Sequence, residues 1–167
     1  MNICIFGDSI AWGANDFEYG GWPAHLRNYL YQKNGTKVYA LGISGDVTTE
    51  AVKRIASESE AREADIIIIA LGINDSAWLK SKEERWTPLE EFKQNIALLY
   101  EKARMFTDKI FFIGLTPIDE TKLQPAPWAP DYFVDAKTKN EYNEAIRAFC
   151  KGGKRPLYFN GRCIDDG

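Results

Sequence analysis

The stretch that most constrains the fold is Asp65-Ile66-Ile67-Ile68-Ile69-Ala70-Leu71, four consecutive isoleucines without polar alternation. A strand with one face in water alternates apolar and polar residues. A β-branched run of this kind therefore predicts a strand covered on both faces, as central strands of a parallel sheet are. Parallel neighbours need crossover connections, usually helices, so strand and helix patterns should alternate along the chain. They do. Residues 2–6 (NICIF), 37–41 (KVYAL), 65–71, 109–115 (KIFFIGL) and 156–159 (PLYF) read as five strands rich in β-branched and aromatic side chains.

The helices between them are read from stripes and caps. The first starts at Pro23, carries Trp22, Leu26, Tyr29 and Leu30 on one face, and ends at Asn34-Gly35. A second over residues 49–64 turns Val52, Ile55 and Ala56 inward. For the third, Thr87 as N-cap, Pro88 at the first helical position and Glu90 at the third predict a capping box, ahead of the inner face Leu89, Phe92, Ile96, Leu99, Ala103 and Phe106. Asp135 caps the fourth, whose stripe is Tyr142, Ala145, Ile146 and Phe149, before Gly152-Gly153. Five strands and four crossovers predict an α/β fold, a three-layer α/β/α sandwich on a flavodoxin-like five-stranded parallel sheet in order 2-1-3-4-5. The expected domain is single and covers residues 1–167, since a chain of this length buries roughly 70% of its unfolded surface.

Composition narrows the function. With 24 acidic and 21 basic side chains the formal net charge is −3, and no cluster of five or more basic residues marks a nucleic-acid or anionic-membrane partner. No apolar run approaches the roughly 20 residues of a membrane span. Cys4, Cys150 and Cys163, an odd number at unpatterned spacing, suit reduced thiols and a cytoplasmic location. One histidine with scattered cysteines offers no metal-ligand set, and phosphate-loop glycine patterns are absent after every strand, so neither metal nor cofactor is expected.

In a doubly wound sheet, ligands collect at the carboxyl ends of the strands. Three segments stand there: Gly7-Asp8-Ser9-Ile10 after the first strand, Gly42-Ile43-Ser44-Gly45-Asp46 after the second, and Gly72-Ile73-Asn74-Asp75 after the third. Gly7 permits a sharp turn that exposes Ser9. Gly45, lacking a Cβ, lets a backbone N–H come close to a substrate oxygen, and Asn74 brings a side-chain NH₂. A hydroxyl nucleophile with such donors is the equipment of acyl transfer with an oxyanion hole.

On these three blocks the chain resembles the SGNH hydrolases, the GDSL-type lipases and esterases. The resemblance implies Ser9 as nucleophile and the Ser9 N–H, the Gly45 N–H and the Asn74 side chain as the oxyanion hole. It implies serine-dependent hydrolysis of a carboxylic ester or thioester through an acyl-enzyme, with a small-molecule ester as partner. The family's fourth block, Asp-x-x-His, departs from its pattern here, because the sequence ends Ile164-Asp165-Asp166-Gly167. Asp166, which precedes a glycine, is expected as the triad carboxylate, with Asp165 as the alternative register. The family's histidine would stand two residues beyond Gly167, followed by a final helix, so the chain as given is expected to be inactive or very weak. His25, at the margin of the first helix's stripe, reads as a solvated or structural histidine. Asp8 and Asp75 read as carboxylates that hold loop backbone. Residues 11–21 and 116–134, long and rich in aromatics, are expected to shape an apolar pocket. Two other readings stand beside the esterase: a non-catalytic binding module on the same fold, and a receiver or cofactor-binding domain.

Overall fold

The computed structural model describes residues 1–153 and the backbones of two further strands, Leu157–Phe159 and Arg162–Cys163. The strands are β1 (Asn2–Gly7), β2 (Lys37–Gly42), β3 (Ile66–Ala70), β4 (Trp78–Leu79), β5 (Glu84–Arg85), β6 (Ile110–Ile113), β7 (Tyr132–Phe133), β8 (Leu157–Phe159) and β9 (Arg162–Cys163). The helices are α1 (Ser9–Trp12), α2 (Gly21–Asn34), α3 (Thr48–Glu60), α4 (Leu89–Ala103) and α5 (Ala136–Gly152).

The expectation of a single five-stranded, flavodoxin-like parallel sheet is corrected by two sheets. The body of the larger is the parallel set β2-β1-β3-β6; β8 continues it alongside β6, and β9 turns back antiparallel to β8, making six strands. A separate antiparallel sheet, β5-β4-β7, pairs Trp78 with Arg85 and Phe133, and Leu79 with Glu84 and Tyr132. Two-residue strands offer no period for a sequence pattern to reveal, and this sheet joins segments more than 50 residues apart. Its cause is backbone pairing, which side-chain alternation does not report.

Alternate residues of β1 divide the core. Cys4 and Phe6 face a large cluster with Ile67, Ile69, Ile110 and Phe112 under α3, α4 and α5, where Phe92, Leu99 and Tyr142 are also fully buried. Ile3 and Ile5 face the other side, with Val38, under Trp22, Leu26 and Leu30 of α2. The isoleucine run is split the same way: Ile67 and Ile69 are buried, while Ile66 and Ile68 are half-buried against the α2 cluster. Each fully buried Ile or Phe side chain stabilises the fold by roughly 1.5–3 kcal/mol.

The helix ends also differ in detail from the sequence reading. Pro88, not Thr87, is the N-cap of α4, and no side-chain cap hydrogen bond forms there; Thr87 is buried and its carbonyl accepts from the Tyr142 hydroxyl at 2.5 Å. Because the helix begins at Leu89, one residue later than a Thr87 cap requires, the expected capping box does not form. α3 stops at Glu60, short of Ala64, and Glu63 takes a left-handed φ of 48°. α2 begins two residues before Pro23, at Gly21, after a left-handed Gly20. At α5 Asp135 caps as read, its carboxylate accepting from the Thr138 N–H at 2.7 Å.

Candidate active site

Parallel register brings the three blocks to one edge. Gly7 pairs with Gly42 on one side and Ala70 on the other, so β1, β2 and β3 end in one row, with Ser9, Gly45 and Asn74 in the loops that follow. The row is tight. A Cβ on Gly42 would stand 2.3 Å from the Trp12 nitrogen and 2.6 Å from the Asp8 carbonyl oxygen, and one on Gly7 would meet the Ala11 Cβ at 2.3 Å. Both positions need glycine because α1 lies directly over the strand ends. Ser9 is the first residue of α1, so its N–H has no acceptor within that helix. Asp8 caps the helix by accepting from the Ile10 N–H at 2.9 Å.

Gly45 has φ +79°, a left-handed conformation that favours glycine, and beyond it a Cβ would find only the Trp86 ring at 3.8 Å. The loop is anchored from below. The Asp46 carboxylate pairs with Arg54 at 2.5 Å, and Arg54 lies over the Phe6 ring. Asp75 accepts from the Thr48 N–H at 3.0 Å and from its hydroxyl at 2.5 Å, tying the Asn74 turn to the start of α3; Asn95 in turn donates to the Thr48 hydroxyl. These bonds give Asp8 and Asp75 the backbone-holding roles read from sequence. Asn74, 6% exposed, donates from Nδ2 to the Asp46 carbonyl at 2.9 Å, and its Oδ1 accepts from the Tyr132 hydroxyl at 2.8 Å.

Ser9, Gly45 and Asn74 line one cavity of about 420 Å³, walled by Trp86, Trp128 and Tyr132. A second, more apolar cavity of about 350 Å³ lies behind Ile10, Ile73 and Thr116, which border both, and reaches Asp8 and Trp22. Among the described residues, none that lines the first cavity is a histidine or a carboxylate. His25 stands exposed on α2 with its ring 5.1 Å from Tyr19. Asp166 and its alternative Asp165 lie outside the described residues.

Burial dominates the electrostatics. It pushes the Asp8 carboxyl up to about 6, helped by the nearby Asp75 and Asp46 carboxylates and opposed by the Ile10 N–H. Burial also raises Asp46, against the opposing pull of Arg54, and raises Asp75, against its hydrogen bonds from Thr48. The Tyr132 phenol is raised by burial and by the Asp8 and Asp75 carboxylates, so it remains a proton donor at neutral pH. Cys4, buried in β1, has its thiol pushed up to about 11, chiefly by burial, which suppresses the reactive thiolate. Among the described residues no group of three or more His, Cys, Asp or Glu could hold a metal ion, and no helix is long and apolar enough to cross a membrane.

Sequence reasoning missed Tyr132 as a partner of Asn74 and the Asp46 carbonyl as its acceptor. The first contact spans 58 residues, and the second uses a backbone atom that every residue has.

The model for the GDSL-like lipase/acylhydrolase family matches residues 5–160, a span that includes Ser9, Gly45 and Asn74. The chain belongs to that family. The chain is 26% identical over 151 residues to the human isoamyl acetate-hydrolyzing esterase 1 homolog, an alignment covering 86% of this chain and 57% of that protein. It thus spans little more than half of that relative's length. It is 25% identical over 173 residues to the uncharacterized lipoprotein YqeF of Bacillus subtilis (strain 168), covering 95% of this chain and 70% of that one. Among solved structures, the lipase/acylhydrolase from Enterococcus faecalis superposes with a TM-score of 0.72 at 20% identity, over 93% of this chain and 74% of that one. TesA does so with 0.70 at 21%, over 94% and 77%. At these identities the superpositions speak to the fold.

Proposed function

We propose that this protein hydrolyses carboxylic esters or thioesters at Ser9 through an acyl-enzyme. The observation that carries the reading is the single cavity lined by Ser9, Gly45 and Asn74 at the aligned ends of β1, β2 and β3. In this reading the Ser9 Oγ forms a bond to the carbonyl carbon while its proton passes to an imidazole. The carbonyl oxygen takes the negative charge and is held by the Ser9 N–H, the Gly45 N–H and the free N–H of Asn74 Nδ2. Collapse expels the alkoxide or thiolate with the proton returned from the imidazole, and water then clears the acyl group by the same steps. Donors already fixed by hydrogen bonds cost little to reorganise as charge develops, which is what makes such a hole effective.

Asp166 is proposed as the carboxylate that orients the imidazole. His25 is not assigned that role, because it does not line the cavity. The walls, Trp86, Trp128 and Tyr132, favour an apolar acyl or aryl group over a charged one. The human relative's name points to isoamyl acetate, and about 420 Å³ accommodates an ester of that size.

One observation favours a second reading, a pocket that binds esters without turning them over: among the described residues, the cavity lining holds no acid or base side chain. Hydrolysis of p-nitrophenyl acetate and butyrate by the 167-residue chain in imidazole buffer, with Ser9→Ala alongside, separates the two. Enzyme reading: Ser9→Ala falls to the rate of buffer alone. Equal rates for the two proteins would leave only the binding module.

A further inference from the structure

Tyr132 belongs to none of the blocks at the strand ends. It reaches the site from β7, at the end of the aromatic segment 116–134, and its hydroxyl donates to Asn74 Oδ1 at 2.8 Å. At the other end of the same carboxamide, Nδ2 donates to the Asp46 carbonyl at 2.9 Å. A carboxamide has one acceptor oxygen and two N–H donors, and a backbone carbonyl can only accept. The Asp46 carbonyl therefore selects the nitrogen end, the phenol O–H donates to the oxygen end, and one N–H is left for the cavity that Asn74 lines with Ser9 and Gly45. Turned by 180°, the side chain would set an oxygen against the Asp46 carbonyl and withdraw its donor from the cavity.

We propose that Tyr132 is a positioning residue of the oxyanion hole: its hydroxyl locks the Asn74 carboxamide in the orientation that offers an N–H, rather than a C=O, to the developing oxyanion. The inference rests on the reading of Asn74 as an oxyanion donor. Tyr132 is itself held by the small antiparallel sheet. Its strand pairs with β4, which begins four residues after Asn74; its carbonyl accepts from the Ala126 N–H at 2.9 Å; and its ring meets Trp86 edge-on, with centroids 6.3 Å apart. The sheet that builds the cavity wall thus also sets the donor in its floor, and wall and hole assemble together.

The test is a double-mutant cycle in the 167-residue chain, reading p-nitrophenyl acetate turnover in imidazole buffer. Tyr132→Phe keeps the ring and removes only the hydroxyl. Loss of a whole oxyanion donor costs roughly 10²–10³ in kcat, and Asn74→Ala should show it. With the Asp46 bond still in place, Tyr132→Phe should lower kcat about ten-fold with KM within about two-fold, and should cause no further loss in the Asn74→Ala background. A nitrogen-15 NMR spectrum reads the same point without turnover: the Asn74 side-chain NH₂ pair, identified by its disappearance in Asn74→Ala, should shift and exchange faster with water in Tyr132→Phe. Unchanged kcat, an equal further loss in the Asn74→Ala background, or an unmoved NH₂ pair would each overturn the role of Tyr132. Unchanged turnover in Asn74→Ala itself would instead contradict the reading of Asn74 on which the inference rests.

Discussion

Asp8, Asn74 and Asp75, at the strand ends, are at most 6% exposed, and each makes the hydrogen bonds described above, whereas on the wall Trp128 is 71% exposed, and Phe17 in the loop after α1 is 95% exposed. The floor of the cavity is fixed by the register of three parallel strands and by buried polar bonds; the wall is held by a sheet of two-residue strands and by turns such as the Asp119 cap of the short helical turn Glu120–Lys122. A floor built in this way is organised before substrate arrives, which is where electrostatic catalysis gains most. The wall, carrying little of the core, can vary in shape at small cost to stability. Tyr132 is the exception, since its hydroxyl reaches from the wall to Asn74 in the floor; apart from it, wall and floor are separable.

The comparison predicts a graded response. The largest loss should come from the floor: Gly42→Ala, whose Cβ would meet backbone atoms of α1 at 2.3 and 2.6 Å, should destabilise the protein by at least about 4 kcal/mol in urea unfolding. A loss below about 1 kcal/mol would show that the strand ends are not tightly packed. Next comes Asp8. Its carboxyl is raised from 3.8 to about 6, so between those values the folded protein holds a proton that the unfolded chain has released. Stability from this group is undiminished below about pH 3.8, falls as pH rises through the window, and is lower by about 3 kcal/mol above it. Asp8→Asn keeps an oxygen for the Ile10 N–H, so it should stabilise the protein at pH 8 and have little effect at pH 3.5; an equal change at both would contradict the buried-charge account. The smallest effect belongs to the wall. Trp128→Ala should raise KM for p-nitrophenyl butyrate about three-fold, leave kcat within two-fold, and change stability by no more than about 0.5 kcal/mol. A kcat loss comparable to that of Asn74→Ala would erase the distinction between wall and floor.

How much of this was legible in the sequence follows from how each part is encoded. The isoleucine run and the helix stripes record burial, so the parallel body of the sheet and its helices could be read, and Gly7, Ser9, Gly45 and Asn74 stood at strand ends because register places them there. The second sheet could not be read: β4, β5 and β7 are too short for a period, and their partners are distant in the chain. The antiparallel β9 had a signal that went unused, since Asn160-Gly161, a pair suited to two-residue hairpins, stands between β8 and β9 in the sequence. The capping box expected at Thr87 did not form because the helix starts one residue later, with Pro88 as its N-cap. Tyr132 was visible as one aromatic in a long loop, but its bond to Asn74 depends on the pairing that brings β7 beside β4.

The central claim is that Ser9 is the nucleophile, and the most direct measurement is the mass of the protein after brief exposure to p-nitrophenyl acetate in imidazole buffer, followed by acid quench and peptide mapping. The account predicts a single acetyl group on the peptide containing Ser9, absent from Ser9→Ala. An unmodified Ser9 peptide during measurable, Ser9-independent turnover, or an acetyl group carried on another residue, would contradict it.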